Sequence, residues 1–233
     1  MAIDFSLTPE QEAIRKLAHE FADKEVKPRA QELDRLADAT AIFPWDIYEK
    51  GNRLGFNKTL IPAKYGGLGL GEVETCLVVE ELSWADGGIG STYFVHNMQL
   101  LTLGESGSEE QKEKWFRACV NDPEERFFMS LPWTEHGVAG NLSPRDFAAG
   151  RANNGPILPA EWAMQSTVPQ LEQREMTTVA VEDGDDWIIN GTKRFITSAG
   201  RSKLMLTSAR KGQASPDVGM GLFLIPADAP GVS

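Results

Sequence analysis

RFFMSLPWTEHGVAGNL, residues 126–142, changes character in mid-run. An apolar, strand-like half (Phe127, Phe128, Met129, Leu131) breaks at Pro132 and opens into a polar, glycine-bearing loop. Such a boundary is where a rigid element aims hydroxyl, carboxylate and bare backbone N–H groups at something outside the core. Upstream of it apolar residues recur at three- and four-residue spacing, and downstream they alternate, so the stretch divides a helical half from a β half.

The helical half is punctuated clearly. Thr8-Pro9-Glu10-Gln11 reads as a capping box with Pro at the first helical position, and Ile14, Leu17, Ala18 and Phe21 supply one apolar face. Helical pattern continues from Val26 to Leu36, and Pro44-Trp45 opens a short helix that ends near Gly51 or Gly55. Gly66, Gly67, Gly69 and Gly71 are too dense for a regular element. With no strand before them and no Lys-Ser/Thr pair after, they make a turn and not a phosphate cradle. Helices follow over Glu72–Ala85, closed by Asp86-Gly87-Gly88, over Ile89–Leu103, apolar on most sides, and after the second capping box Ser108-Glu109-Glu110-Gln111. His96 interrupts the apolar helix, and two readings stand: a partnered structural histidine, the blander one, or a group lining a substrate pocket.

Beyond Asn121-Asp122-Pro123 strands are expected near 126–131, 176–181, 186–190, 193–197, 204–208 and 220–225. DWIINGTKRFITSAG (186–200) reads as a hairpin with a tight turn at Asn190-Gly191 and hydroxyls at the end of its return strand. The organisation expected is a helical domain over 1–122 and a β domain over 123–233.

A net charge of -11 argues against nucleic acid or an anionic membrane as partner. No apolar run approaches the roughly 20 residues of a membrane span. MAIDFSLTPEQ carries neither secretory nor transit-peptide character, which makes the cytoplasm the default. Cys76 and Cys119 lack metal-type spacing and read as small buried thiols, and no His, Cys, Asp or Glu constellation has the spacing of a metal site.

Two ordered motifs, Thr134-Glu135-His136 with Gly137 to Asn141, and Asn190-Gly191-Thr192-Lys193-Arg194-Phe195-Ile196-Thr197-Ser198, resemble those of the acyl-CoA dehydrogenase family of flavoenzymes. The family pattern is Thr-Glu-Pro followed by Gly and Ser, then Asn-Gly and Lys-x-Trp-Ile-Thr-Asn. The resemblance implies an α+β fold, a helical N-terminal domain followed by an antiparallel β-barrel or sandwich-like domain. It also implies FAD as cofactor, an acyl-CoA substrate, an electron-transfer flavoprotein as acceptor, and an oligomer.

By position, the resemblance implies that Thr197 hydrogen-bonds the flavin N5 and Thr134 its pyrimidine edge, with Phe195 and Ile196 beside the ring. Leu131, Pro132, Trp133 and Gly140 would run along the cofactor, and Gly140, Asn141 and His96 would face substrate. No catalytic base is assigned. Glu135, a conceivable one, stands at a position the family uses structurally. The sequence stops before the family's C-terminal helical bundle, which usually donates the glutamate base, so the expectation is a fragment or one subunit of a split enzyme, inactive alone. A non-catalytic scaffold subunit, or a flavin oxidase or monooxygenase of the same fold, are the alternatives.

Three departures stand out. His136 replaces Pro, Gly140-Asn141 lacks the usual hydroxyl, and residues near 143–173 read as an insertion of roughly twenty residues. With four prolines it reads as an ordered surface loop that either reshapes the acyl entrance or covers a neighbouring subunit.

Overall fold

A computed structural model describes residues 6–36, 43–135, 177–212 and 220–233. Within it the chain forms two compact units, the first comprising residues 1–130 with 200–204 and the second residues 131–199 with 205–233.

The first unit is helical. Thr8 caps α1 (Pro9–Phe21) with the reciprocal Thr8–Gln11 bonds that its sequence promises. One π turn, Ala22–Val26, joins it to α2 (Lys27–Asp34). Pro28 explains the widening: it has no N–H to give and its ring crowds the carbonyl of Lys24, which the wider turn moves aside. α3 (Trp45–Arg53), α4 (Glu72–Ala85), α5 (Gly87–Ser106) and α6 (Glu109–Val120) follow. Asp86 does more than close α4, since its carboxylate accepts the Ile89 N–H at 2.8 Å and so caps α5.

Phe21, Val26, Ile47, Tyr48, Phe56, Leu82, Ile89 and Tyr93 form the core of this unit, with Phe128 packed edge-on to Tyr48 and Tyr93. Phe128 lies just before β1 (Met129–Ser130), which is shorter than the strand expected over 126–131. Lys203 and Leu204 return to this unit and donate their N–H groups to the Phe128 carbonyl. Cys119 is buried as expected, whereas Cys76 is exposed, which corrects its reading as a buried thiol.

The second unit holds β2 (Val179–Asp183), β3 (Asp186–Asn190), most of β4 (Leu204–Lys211) and β5 (Met220–Pro226). β2 pairs antiparallel with β3 and parallel with β4, and β5 pairs with β4. The sheet is therefore mixed, and among the described residues it stays open, so the expected helical domain followed by a β domain stands, while the closed barrel form and the all-antiparallel pairing do not.

The hairpin also moves. It joins β2 to β3, with Asp183 opposite Asp186, so the two-residue turn is Gly184-Asp185, and Gly184 sits at φ +63° where a side chain would be strained. Asn190-Gly191 ends β3, and no strand follows it over 191–198. A Cβ on Gly191 would come within 2.6 Å of the Thr178 Cα, so glycine is there for close approach of two backbones. The return strand expected over 193–197 does not form, because Phe195 (φ +58°) and Ser198 (φ +59°) both turn left-handed. Among the described residues no helix is long and apolar enough to cross a membrane.

Candidate functional site

The candidate residues of the second unit lie on two segments that carry no regular structure, 131–135 and 193–197. The structure lays them side by side: the Arg194 N–H donates to the Thr134 carbonyl at 2.9 Å. The two segments meet at Thr134 and Arg194, with Lys193 reaching the Trp133 carbonyl, although these residues are far apart in the chain. Gly140 and Asn141, with His136, Gly137 and the 143–173 insertion, lie outside the described residues.

What holds the segments is a buried ion pair. Glu135, with a side chain 0% exposed, accepts from Lys193 Nζ at 2.8 Å, from the Thr177 N–H at 2.6 Å and hydroxyl at 2.7 Å, and from the Thr178 N–H at 3.0 Å. Burial alone would raise its pKa, but the donors from Lys193, Thr178 and Thr177 outweigh it and hold the carboxyl at about 2. Glu135 is thus an ionised anchor with four donor contacts on its carboxylate.

Lys193 gives its remaining donors to the Trp133 carbonyl at 3.2 Å and to Ser208 Oγ at 3.1 Å. Burial pulls its pKa below the usual lysine range while Glu135 holds it up, and three matched acceptors make the ammonium the form that this site satisfies. Sequence reasoning assigned Lys193 no role. Its only signal was membership of the motif, because a lysine written between Thr and Arg looks like a solvated charge.

Phe195 behaves differently from everything around it. Its ring is 81% exposed, its backbone is left-handed, and the Arg194 guanidinium lies 4.2 Å from the ring centroid. A flat apolar face presented to solvent from a strained position, beside a rigidly tied pair of loops, suits stacking against a planar ring.

His96 takes the blander of its two readings, a partnered structural histidine, and not the substrate-facing one. It belongs to the helical unit, is 0% exposed, and has both ring nitrogens engaged. The Met129 N–H donates to Nδ1 at 2.9 Å, so Nε2 carries the proton and donates to the Asn57 carbonyl at 2.9 Å. Burial lowers its pKa to about 4. It is a backbone anchor, and no nitrogen remains to meet a substrate. Among the described residues no group of His, Cys, Asp and Glu gathers in a way that could hold a metal ion.

Comparison with known proteins adds a family context. Residues 8–122 match "Acyl-CoA dehydrogenase, N-terminal domain" and residues 167–233 match "Acyl-CoA dehydrogenase, middle domain". The chain is 29% identical to the short-chain specific acyl-CoA dehydrogenase of Clostridium acetobutylicum, over 96% of this chain and 49% of that protein. It is 30% identical to the 3-(aryl)acrylate reductase of Clostridium sporogenes, over 97% of this chain and 50% of that protein. Among solved structures, the glutaryl-CoA dehydrogenase of Mycobacterium smegmatis in complex with FADH2 superposes with a TM-score of 0.68 at 25% identity, over 97% of this chain and 47% of that one. The chain spans about half the length of the relatives it matches.

Proposed function

Because this chain belongs to the acyl-CoA dehydrogenase family, we propose that it supplies one wall of a flavin site in an enzyme that desaturates an acyl-CoA thioester between its α and β carbons. The observation that carries this reading is the backbone bond from Arg194 to Thr134, which puts two separately encoded hydroxyl-bearing segments next to each other. FAD, when bound, supplies the acceptor for the β-hydride at its N5.

The residues of this chain hold and orient. Thr197 and Thr134 provide hydroxyls for the ring's N5 and pyrimidine edges, and Phe195 and Ile196 lie against its face. Leu131, Pro132 and Trp133 shield it from water, which strengthens every polar contact made there. Glu135 keeps its charge and takes no proton. The electron acceptor is an electron-transfer flavoprotein, and the working form is an oligomer or an assembly with further helical structure. A second reading keeps the same site but runs it towards reduction of an α,β-unsaturated aryl substrate, and the similarity to the Clostridium sporogenes reductase favours it.

The test is anaerobic addition of an acyl-CoA to the FAD-loaded protein that contains this chain. The visible flavin band should bleach, and Thr197→Val should weaken FAD binding roughly tenfold, the worth of one hydrogen bond. A protein that stays colourless with excess FAD refutes the proposal. Reoxidation of chemically reduced enzyme by an aryl acrylate, with no bleaching by acyl-CoA, selects the second reading.

A further inference from the structure

Thr134 is bracketed. Its neighbours on either side, the Trp133 carbonyl and the Glu135 carboxylate, both accept a hydrogen bond from the same ammonium, that of Lys193. The residue after Lys193 then closes the bracket, since Arg194 donates its backbone N–H to Thr134 itself. Four residues after Lys193 comes Thr197, and the chain between them includes a left-handed Phe195, with a left-handed Ser198 just beyond. The third N–H of Lys193 donates to Ser208 Oγ on β4, whose own backbone N–H donates to the Pro132 carbonyl at 3.2 Å. Glu135 extends the tie to the residues leading into β2 through Thr177 and Thr178.

We propose that the buried Lys193–Glu135 pair is the positioning device that sets the spacing between Thr134 and Thr197, and through it the affinity for a flavin ring. The second clause rests on the function proposed above, and the first does not. A pair that served stability alone would not need to touch both neighbours of one candidate ligand residue. A buried ion pair is in any case an inefficient source of stability, because desolvation of the two charges offsets much of their attraction. What such a pair supplies well is direction: three N–H donors and four accepting contacts fix where two irregular segments lie, and neither has a helix or strand ladder to do it. Lys193 and Glu135 are positioning residues and touch the ring only through Thr134 and Thr197.

The test uses the whole protein and compares Lys193→Met with Lys193→Arg and with Leu206→Ala, which removes a buried apolar side chain from β4 and none of the hydrogen-bonding groups named above. Two quantities are read: hydrogen exchange of the Arg194 amide in the absence of flavin, and the dissociation constant for FAD. Lys193→Met should speed exchange at Arg194 and weaken FAD, each by roughly tenfold or more. Lys193→Arg should recover most of both. Leu206→Ala should leave exchange at Arg194 and FAD affinity near those of the parent protein. Unchanged Arg194 exchange in Lys193→Met overturns the proposal, as does equal acceleration in Leu206→Ala, which marks a general loss of stability. If Arg194 exchange responds as expected but the parent protein takes up no FAD, the positioning role stands and the flavin reading falls.

Discussion

His96 in the helical unit and Glu135 in the β unit solve one problem in opposite ways. Each is buried and each captures backbone: His96 accepts the Met129 N–H, and Glu135 accepts the N–H groups of Thr177 and Thr178. His96 is neutral, because its partners are an amide and a carbonyl and burial disfavours the charged ring. Glu135 is ionised, because an ammonium and three further donors surround it. A buried group takes the charge state that its partners can satisfy, and burial by itself does not decide it. The neutral anchor sits in a unit already rigid with helices. The charged one sits where two segments without regular structure have to be placed.

The strongest way to break this comparison is His96→Leu. It strands the Met129 N–H and the Asn57 carbonyl in the core, and a loss of about 2 kcal/mol is expected by chemical denaturation. The same variant separates the two anchors by pH. The His96 pKa is lowered from 6.5 to about 4, so its contribution is fully present above about 6.5 and is lost as pH falls towards 4. Glu135 is lowered from 4.5 to about 2, so its contribution is present above about 4.5 and is lost as pH falls towards 2. His96→Leu should therefore flatten the stability profile between pH 6.5 and 4 and leave the loss that Glu135 contributes below about 4.5 in place.

A smaller effect is expected from Gly191→Ala, which sharpens the picture of the β unit by pressing a methyl onto the Thr178 backbone next to Glu135. A loss of about 1 to 2 kcal/mol in thermal or chemical unfolding is the expected result. The smallest stability change belongs to Phe195→Ala. With its ring in solvent, the substitution should move stability by no more than about 0.5 kcal/mol. Its FAD affinity should nevertheless fall by roughly tenfold, the worth of one stacking contact. A Phe195→Ala protein that binds FAD as tightly as its parent would show that the exposed ring has another purpose.

The helical unit was legible because its signals are local. Thr8 to Gln11 and Ser108 to Gln111 cap helices wherever the rest of the chain goes. The β unit was less so. Asn190-Gly191 has the look of a hairpin turn, and the chain places its turn at Gly184-Asp185 because glycine at 191 answers to Thr178, a residue that no local pattern connects to it. The stretch 193–197 has strand-like composition but is bent by left-handed Phe195 within it and left-handed Ser198 just after it, and backbone sign is not written in side-chain type.

His96 shows the same limit from the other side. Its place on an apolar helix was visible, and whether it met a ligand or the backbone depended on Met129, which arrives from beyond the next helix. The sequence by itself determined the class of the two halves, the helix starts and the identity of the two hydroxyl-bearing segments, since spacing, caps and composition act over a few residues. Only the tertiary structure decided that those segments touch, that Lys193 is buried against Glu135 and that His96 faces inward. Each of these depends on which distant groups satisfy a buried proton or charge, and that is settled by folding the whole chain at once.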